Sequence, residues 1–66
     1  MDAVKIGRRL QTLRGNRRRE DIAPILGVST SALAMYERGE RVPRDEIKIR
    51  LSRFYGTSIE ALFFAD

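Results

Sequence analysis

Glycines at positions 15, 27, 39 and 56 divide the chain into short segments, and each follows a stretch with helical periodicity. In the first segment Ile6, Leu10 and Leu13 recur at the spacing of one helix face, and no stretch alternates polar and apolar residues for long. Because glycine readily closes a helix in a left-handed turn, the pattern predicts an all-α fold. We expect one domain over residues 1–66, a compact bundle of five short helices near residues 3–14, 19–26, 30–38, 44–55 and 59–64.

Several residues that favour helix starts precede these segments. Asp2, Ser29 and Ser58 are suited to cap the first, third and last helices, and Pro43 to begin the fourth. Pro24 does not fit this pattern, because six residues into the second helix it removes a backbone hydrogen bond and clashes with the preceding turn, at a cost of ~3 kcal/mol in a regular helix. The sequence therefore predicts a second helix that is kinked or that starts late.

The composition excludes most catalytic chemistry. The 66 residues include no cysteine and no histidine, so disulfides, thiolate metal sites and imidazole catalysis are ruled out. The adjacent acids Asp45 and Glu46 complement the dipole of a helix N-terminus, which explains them without a catalytic role. We expect no enzyme activity, no metal or cofactor, and no small-molecule ligand.

The distribution of charge indicates an anionic partner. Eleven of the thirteen basic residues are arginine, and the formal net charge is +4. Residues 1–19 carry seven basic groups and one acid, whereas residues 54–66 carry two acids and no base. Arginine suits phosphate groups, so one end of the molecule is expected to bind a polyanion. No apolar run approaches the ~20 residues of a membrane span and no signal peptide is evident, which favours a cytoplasmic protein.

The segment from Ile22 to Tyr36 places a small residue, Ala23, where two helices would cross, and Gly27 in the turn between them. With the stretches LGVS, YERGERVP and YGTSIEALF, it resembles the lambda-repressor-like helix-turn-helix family of Cro-type, xenobiotic-response-element-type regulators of bacteria and phages. The resemblance covers nearly the whole chain. It implies that the helix after Ser29 is a recognition helix in the major groove of double-stranded DNA.

Roles for individual residues follow from this resemblance. It implies base reading by Thr30, Ser31, Ala34 and Met35, which would project outward from the recognition helix. It implies phosphate binding by residues before and after that helix: Arg18, Arg19, Ser29, Arg38, Arg41 and Arg44. Ser29 also fits a purely capping role. Glu37 should accept a salt bridge from the first helix, and Arg14 is the expected donor.

The C-terminal aromatics Phe63 and Phe64 are expected at a dimer interface. Adjacent helical residues diverge by about 100°, so only one of the two can easily enter the core and the other favours a two-fold contact. A symmetric dimer would place two recognition helices ~34 Å apart, one turn of DNA. The rival explanation is a longer chain whose next segment covers Phe64.

Two functions are therefore compared. The first is sequence-specific DNA binding by a transcriptional repressor that acts on an operator as a dimer. The alternative is a protein-interaction module, antitoxin-like or an adaptor, that keeps the fold without reading DNA. The nearly uncharged recognition helix and the C-terminal aromatics favour the alternative, whereas the combined motifs favour DNA binding.

Overall fold

The computed structural model describes residues 1–65. Over this range the chain forms five helices and no strand, as predicted, in a molecule about 28 × 22 × 22 Å. The last helix is a single π-helical segment. In chain order the helices are α1 (Ala3–Arg14), α2 (Arg19–Leu26), α3 (Thr30–Glu37), α4 (Asp45–Tyr55) and α5 (Glu60–Phe64).

The predicted side-chain caps are present at the starts of α1 and α3. The Asp2 carboxylate accepts hydrogen bonds from the amides of Val4 and Lys5, and these bonds hold the pKa of Asp2 below its usual value. At α3 the Ser29 hydroxyl accepts from the amide of Ala32 at 3.0 Å. Because each cap satisfies amides that lack a partner inside the helix, both starts are fixed by local sequence.

Of the two alternatives predicted for the second helix, a kink or a late start, the late start is wrong. Helix α2 begins at Arg19 and continues without interruption through Pro24 to Leu26. Contacts beyond the proline secure its end: the amide of Val28 bonds to the Ala23 carbonyl, and Arg50 donates to the Leu26 carbonyl at 3.1 Å. A helix this short loses only one backbone bond to the proline, and its terminal carbonyls are satisfied from outside.

The boundaries of the next two helices differ slightly from the expectation. Helix α3 ends at Glu37, and Gly39 follows with a φ of +74° in the turn. Helix α4 begins at Asp45 with Arg44 as its N-cap, so Pro43 is buried in the preceding loop and is not the first helical residue. The loop between α3 and α4 therefore spans residues 38–44.

One core contains side chains from all five helices. Its members are almost fully inaccessible to solvent and are apolar apart from one tyrosine hydroxyl: Ile6, Leu10, Ile22, Ala23, Leu26, Leu33, Tyr36, Ile47, Leu51, Leu62 and Phe63. The expectation that Phe63 lies at a dimer interface is wrong, because its ring is 1% exposed and closes the core, whereas Phe64 is 58% exposed. Adjacent side chains diverge, so only one of the two aromatics faces inward.

Helices α1 and α3 pack closely against each other at Gly7. A Cβ atom at Gly7 would overlap the backbone carbonyl of Glu37, so only glycine fits there. Four residues along α1, the Gln11 side chain donates to that same carbonyl at 2.9 Å. These contacts hold the C-terminal end of α3 against α1.

Candidate nucleic-acid interface

Helix α3 has a buried face and an exposed N-terminal end. Leu33 and Tyr36 lie in the core, while Thr30 and Ser31 in the first turn are exposed. Met35 is half-buried. The N-terminal end of α3 therefore presents two hydroxyl groups to solvent, each able to donate and accept hydrogen bonds at base edges or phosphates.

The prediction that Ala34 projects outward is wrong, because its side chain is 8% exposed. Ala34 follows Leu33 and precedes Glu37 by three residues, so it shares the helix surface with both of these buried residues. The buried arc of α3 is wider than the sequence indicated. Of the four residues expected to read bases, Thr30, Ser31 and Met35 retain an accessible surface.

A buried carboxylate lies at the other end of α3. Glu37 has a side chain that is 0% exposed, and its two oxygens accept from Arg14 Nε at 2.7 Å and Arg14 Nη2 at 2.9 Å. The predicted Arg14–Glu37 salt bridge is confirmed. Its bidentate geometry raises the pKa of Arg14 above the ordinary value, chiefly through the hydrogen bonds to Glu37.

The same carboxylate also binds Arg19, a contact that the sequence does not predict. Arg19 Nε lies 2.9 Å from Glu37 Oε1, and the arginine side chain is 32% exposed. Arg19, which the resemblance assigns to phosphate binding, therefore also donates a hydrogen bond to a buried side chain. No local pattern signals this pairing, because residues 19 and 37 meet only when α2 and α3 pack.

Arg17 in the α1–α2 loop stabilises the fold. Its guanidinium carbon lies 5.4 Å from the ring centres of both Phe54 and Tyr55, and its nitrogens donate to the carbonyls of Leu13 and Arg14. These bonds cap the C-terminus of α1 where backbone acceptors are otherwise free. The middle arginine of the chain's clearest basic region therefore binds the protein itself.

Beside Arg17, the Tyr55 hydroxyl is inaccessible to solvent. No hydrogen-bond partner for it lies among residues 1–65. Burial raises the pKa of Tyr55 above its ordinary value, and the nearby Glu37 carboxylate raises it further. A hydroxyl without a partner is destabilising in this position.

Four further arginines lie at the surface. Arg18, Arg38 and Arg44 each contact an acid two residues away in sequence: Glu20 at 2.9 Å, Glu40 at 2.7 Å and Glu46 at 3.3 Å, respectively. These hydrogen bonds lower the pKa of Glu20 and of Glu40. Arg41 is exposed and forms no ion pair within residues 1–65. Because exposed ion pairs are weak, phosphate groups can compete for all four cations.

The exposed ring of Phe64 borders a shallow cavity of about 320 Å³ between α4 and α5, together with Ile49 and Ile59. The ammonium of Lys48 lies 5.6 Å from the Phe64 ring centre. Asp45 also lines this cavity and contacts Lys48 at 3.5 Å. The face is apolar at its centre and carries both signs of charge at its edge.

The described part of the chain has no cluster of three or more acidic side chains that could hold a metal ion. Asp45 and Glu46 lie in the first turn of α4, where each has a basic partner. None of the helices within residues 1–65 is both long and apolar enough to cross a membrane.

The comparisons with known proteins agree with this geometry. A family model described as a helix-turn-helix domain matches residues 5–62. No curated protein and no solved structure gives a significant match to the chain. The match covers most of α1, all of α2, α3 and α4, and most of α5, so it includes both the exposed end of α3 and the arginines on either side.

Proposed function

Because the chain belongs to the helix-turn-helix family, we propose that it binds double-stranded DNA sequence-specifically and acts as a transcriptional repressor on an operator, as a dimer. The observation that carries the proposal is the exposed N-terminal turn of α3. Thr30 and Ser31 are free to approach base edges, while Leu33 and Tyr36 anchor the helix in the core. Met35 adds an apolar edge suited to a thymine methyl group.

Phosphate binding is assigned to cations that come before and after α3 in the sequence. Arg41 has no ion pair within the described residues, and Arg38 and Arg44 pair only with exposed neighbouring acids. Arg18 has the same surroundings at the start of α2. Ser29 keeps its hydroxyl proton for a phosphate, since its oxygen serves the helix cap as an acceptor. These contacts supply affinity, and α3 supplies discrimination.

Selection of bound duplexes from a random pool tests the proposal, followed by anisotropy titrations against the enriched sequence. Replacing Ser31 or Met35 by alanine is expected to change which duplex is preferred. Arg41→Ala should weaken binding to all duplexes alike and lower the logarithmic salt slope by about 0.9, the value for one phosphate contact. Enrichment unaffected by changes at both Ser31 and Met35 would refute the assignment of base reading to α3.

The proposed dimer contact is the face around Phe64. A ring that is 58% exposed, beside Ile49 and Ile59, gains from cover by a second copy, and the region carries no excess of positive charge to repel it. Sedimentation equilibrium is expected to show a dimer that Phe64→Ser converts to monomer. Val42→Ser, a change at another exposed hydrophobic residue, is the matched control and should leave the dimer intact. If the wild-type protein is a monomer both free and on DNA, the proposed dimer is wrong, but the proposed DNA binding is not affected.

A second candidate function is a protein-interaction module that retains the fold without reading DNA. The burial of Ala34 favours it, because fewer side chains remain to discriminate bases. Ile25, on α2, is 67% exposed and adds apolar surface. This function predicts equal binding to random and enriched duplexes even at low salt, so the same titrations distinguish the two functions.

A further inference from the structure

The two arginines that share the Glu37 carboxylate use different nitrogens. Arg14 engages all three: Nε and Nη2 bind Glu37, and Nη1 donates to the Arg17 carbonyl at 2.8 Å. Arg19 uses Nε alone, and its two terminal nitrogens have no acceptor among residues 1–65. Arg14 is thus fully occupied inside the protein, whereas Arg19 is held by one edge with the opposite edge unoccupied.

Holding one edge of a guanidinium restricts the direction of the other. The group is planar and its five N–H bonds form a rigid fork, so a bond at Nε restricts where the terminal nitrogens can point. The two terminal nitrogens carry four N–H donors, and one from each points outward in parallel, in the geometry that binds a phosphate group with two hydrogen bonds. Arg19 is therefore pre-organised for a single tetrahedral anion.

The charges around Glu37 leave the positive charge of Arg19 available. The carboxylate bears one negative charge, and the bidentate Arg14 already balances it at 2.7 and 2.9 Å. The group of three side chains carries one net positive charge, and Arg19 is the more exposed of the two arginines, at 32% against 19%. Of the two arginines on Glu37, Arg19 is therefore the one more accessible to an anion that approaches α2.

Glu37 also keeps Arg19 away from competing acids. Glu20 and Asp21 follow it directly in the first turn of α2, and both are exposed. Glu20 pairs with Arg18, and Arg19 forms no salt bridge with either acid. A lysine at position 19 would keep the charge, but its three N–H donors share one rotating nitrogen, so it has no rigid fork with which to hold Glu37 on one side and a phosphate on the other.

We infer that Glu37 is a positioning residue that holds the Nε edge of Arg19 and thereby directs its terminal nitrogens to a DNA phosphate beside the start of α2. The inference rests on the proposed DNA-binding function and extends it. Glu37 is the last residue of α3, so one carboxylate joins the phosphate contact of α2 to the helix that presents Thr30 and Ser31. The position of the protein along the DNA phosphates is thereby coupled to the position of the N-terminal end of α3 at the bases.

Arg19→Lys provides the main test, with affinity for the enriched duplex measured by anisotropy over a range of salt. Orientation by Glu37 predicts that Arg19→Lys loses about tenfold in affinity, close to the loss in Arg19→Ala, although the charge is kept. Arg19→Ala should in addition lower the salt slope by about 0.9. Arg53→Lys is the control, because Arg53 is an exposed arginine of α4 to which no DNA contact is assigned, and it is expected to bind within about twofold of wild type.

A double-mutant cycle with Glu37→Gln separates positioning from general electrostatics. Loss of one carboxylate raises the net charge in both arms of the cycle, so that effect cancels. Positioning predicts that Arg19→Ala costs much less affinity in the Glu37→Gln background than in wild type. Circular dichroism establishes that each variant is folded, and where Glu37→Gln is not, the comparison of Arg19→Lys with Arg19→Ala decides the question.

The outcomes distinguish the inference from the function beneath it. Wild-type affinity in Arg19→Lys, or an equal cost of Arg19→Ala in both backgrounds, would overturn the positioning role while sequence-specific DNA binding stands. Absence of any preferred duplex for the wild-type protein would overturn the proposed function and the inference with it.

Discussion

Two parts of the chain rich in arginine behave in opposite ways. In residues 14–19, which join α1 to α2, three of the four arginines bind the protein itself: Arg14 and Arg19 through Glu37, and Arg17 through two aromatic rings and two carbonyls. In residues 38–44, between α3 and α4, the three arginines face solvent and contact at most an exposed neighbouring acid. A high density of arginine therefore does not by itself indicate a nucleic-acid contact.

The difference arises from what the rest of the fold places beside each part. Residues 14–19 lie against a carboxylate that is fully buried and against the end of α4, where Phe54 and Tyr55 offer ring faces. The acids near residues 38–44 are exposed, so water competes for every pair there. The first part therefore mainly supports the fold, and the second is free to bind a partner.

The largest expected effect is that of Glu37→Ala on stability. Removing the carboxylate leaves two guanidiniums without their partner, one of them largely buried, and should lower the free energy of unfolding by about 3–5 kcal/mol. A domain of this size has a total stability of roughly 3–10 kcal/mol, so the variant should be partly unfolded at room temperature. Urea denaturation measures the change. Glu40→Ala, the control in residues 38–44, is expected to unfold like wild type.

Next in size is a pair of changes with opposite outcomes. Arg17→Ala should destabilise the fold by about 1 kcal/mol, through loss of the contacts with Phe54 and Tyr55, and should leave the salt slope of DNA binding unchanged. Arg41→Ala should leave the melting temperature unchanged and weaken DNA binding. Melting curves and salt titrations on both variants test the comparison directly. A stable Arg17→Ala protein with a reduced salt slope would contradict the structural role of Arg17.

The smallest effect is expected at Tyr55. Because its hydroxyl is buried without a partner in the described residues, Tyr55→Phe should raise the free energy of unfolding by up to about 1 kcal/mol. The raised pKa of Tyr55 adds a pH dependence: the fold retains the phenol proton more tightly than the unfolded chain does. This tighter binding of the proton contributes fully to the free energy of unfolding below the ordinary pKa of about 10, and the contribution is lost as the pH rises above that value.

Stability measured from pH 8 to 11 should therefore decline less steeply in Tyr55→Phe than in wild type. A destabilised Tyr55→Phe protein would show instead that the hydroxyl makes a favourable contact. Tyr55→Phe keeps the aromatic ring, so the cation–π contact of Arg17 with residue 55 is preserved in this variant and the measured change reports on the hydroxyl.

Local patterns predicted the elements of this fold well. The caps at Asp2 and Ser29 and the glycine after each of the first four helices depend on residues close in sequence, and the structure confirms them. The Arg14–Glu37 bond came from the family resemblance. The matched family also supports a DNA partner, whereas the base and phosphate contacts of individual residues stay predictions.

The errors concern contacts between distant residues. The outward position predicted for Ala34 is wrong, because helical spacing shows that a buried face exists but not how wide it is. For Phe63 and Phe64 the spacing shows that one ring enters the core but not which one. The bond from Arg19 to Glu37 and the stacking of Arg17 on α4 depend on how helices meet in three dimensions. The late start predicted for α2 considers only the backbone bond that Pro24 removes. It does not include Val28 and Arg50, which donate hydrogen bonds to the carbonyls at the end of the helix.

The contact at Gly7 has a consequence for changing the specificity of this protein. With the backbones of α1 and α3 touching there, α3 cannot roll or slide to accommodate a bulkier side chain at its inner surface. The exposed positions Thr30 and Ser31 are free of that restriction. New operator preferences should therefore be obtained by exchanging side chains at the tip of a rigidly mounted helix, while the angle of that helix stays the same in every variant.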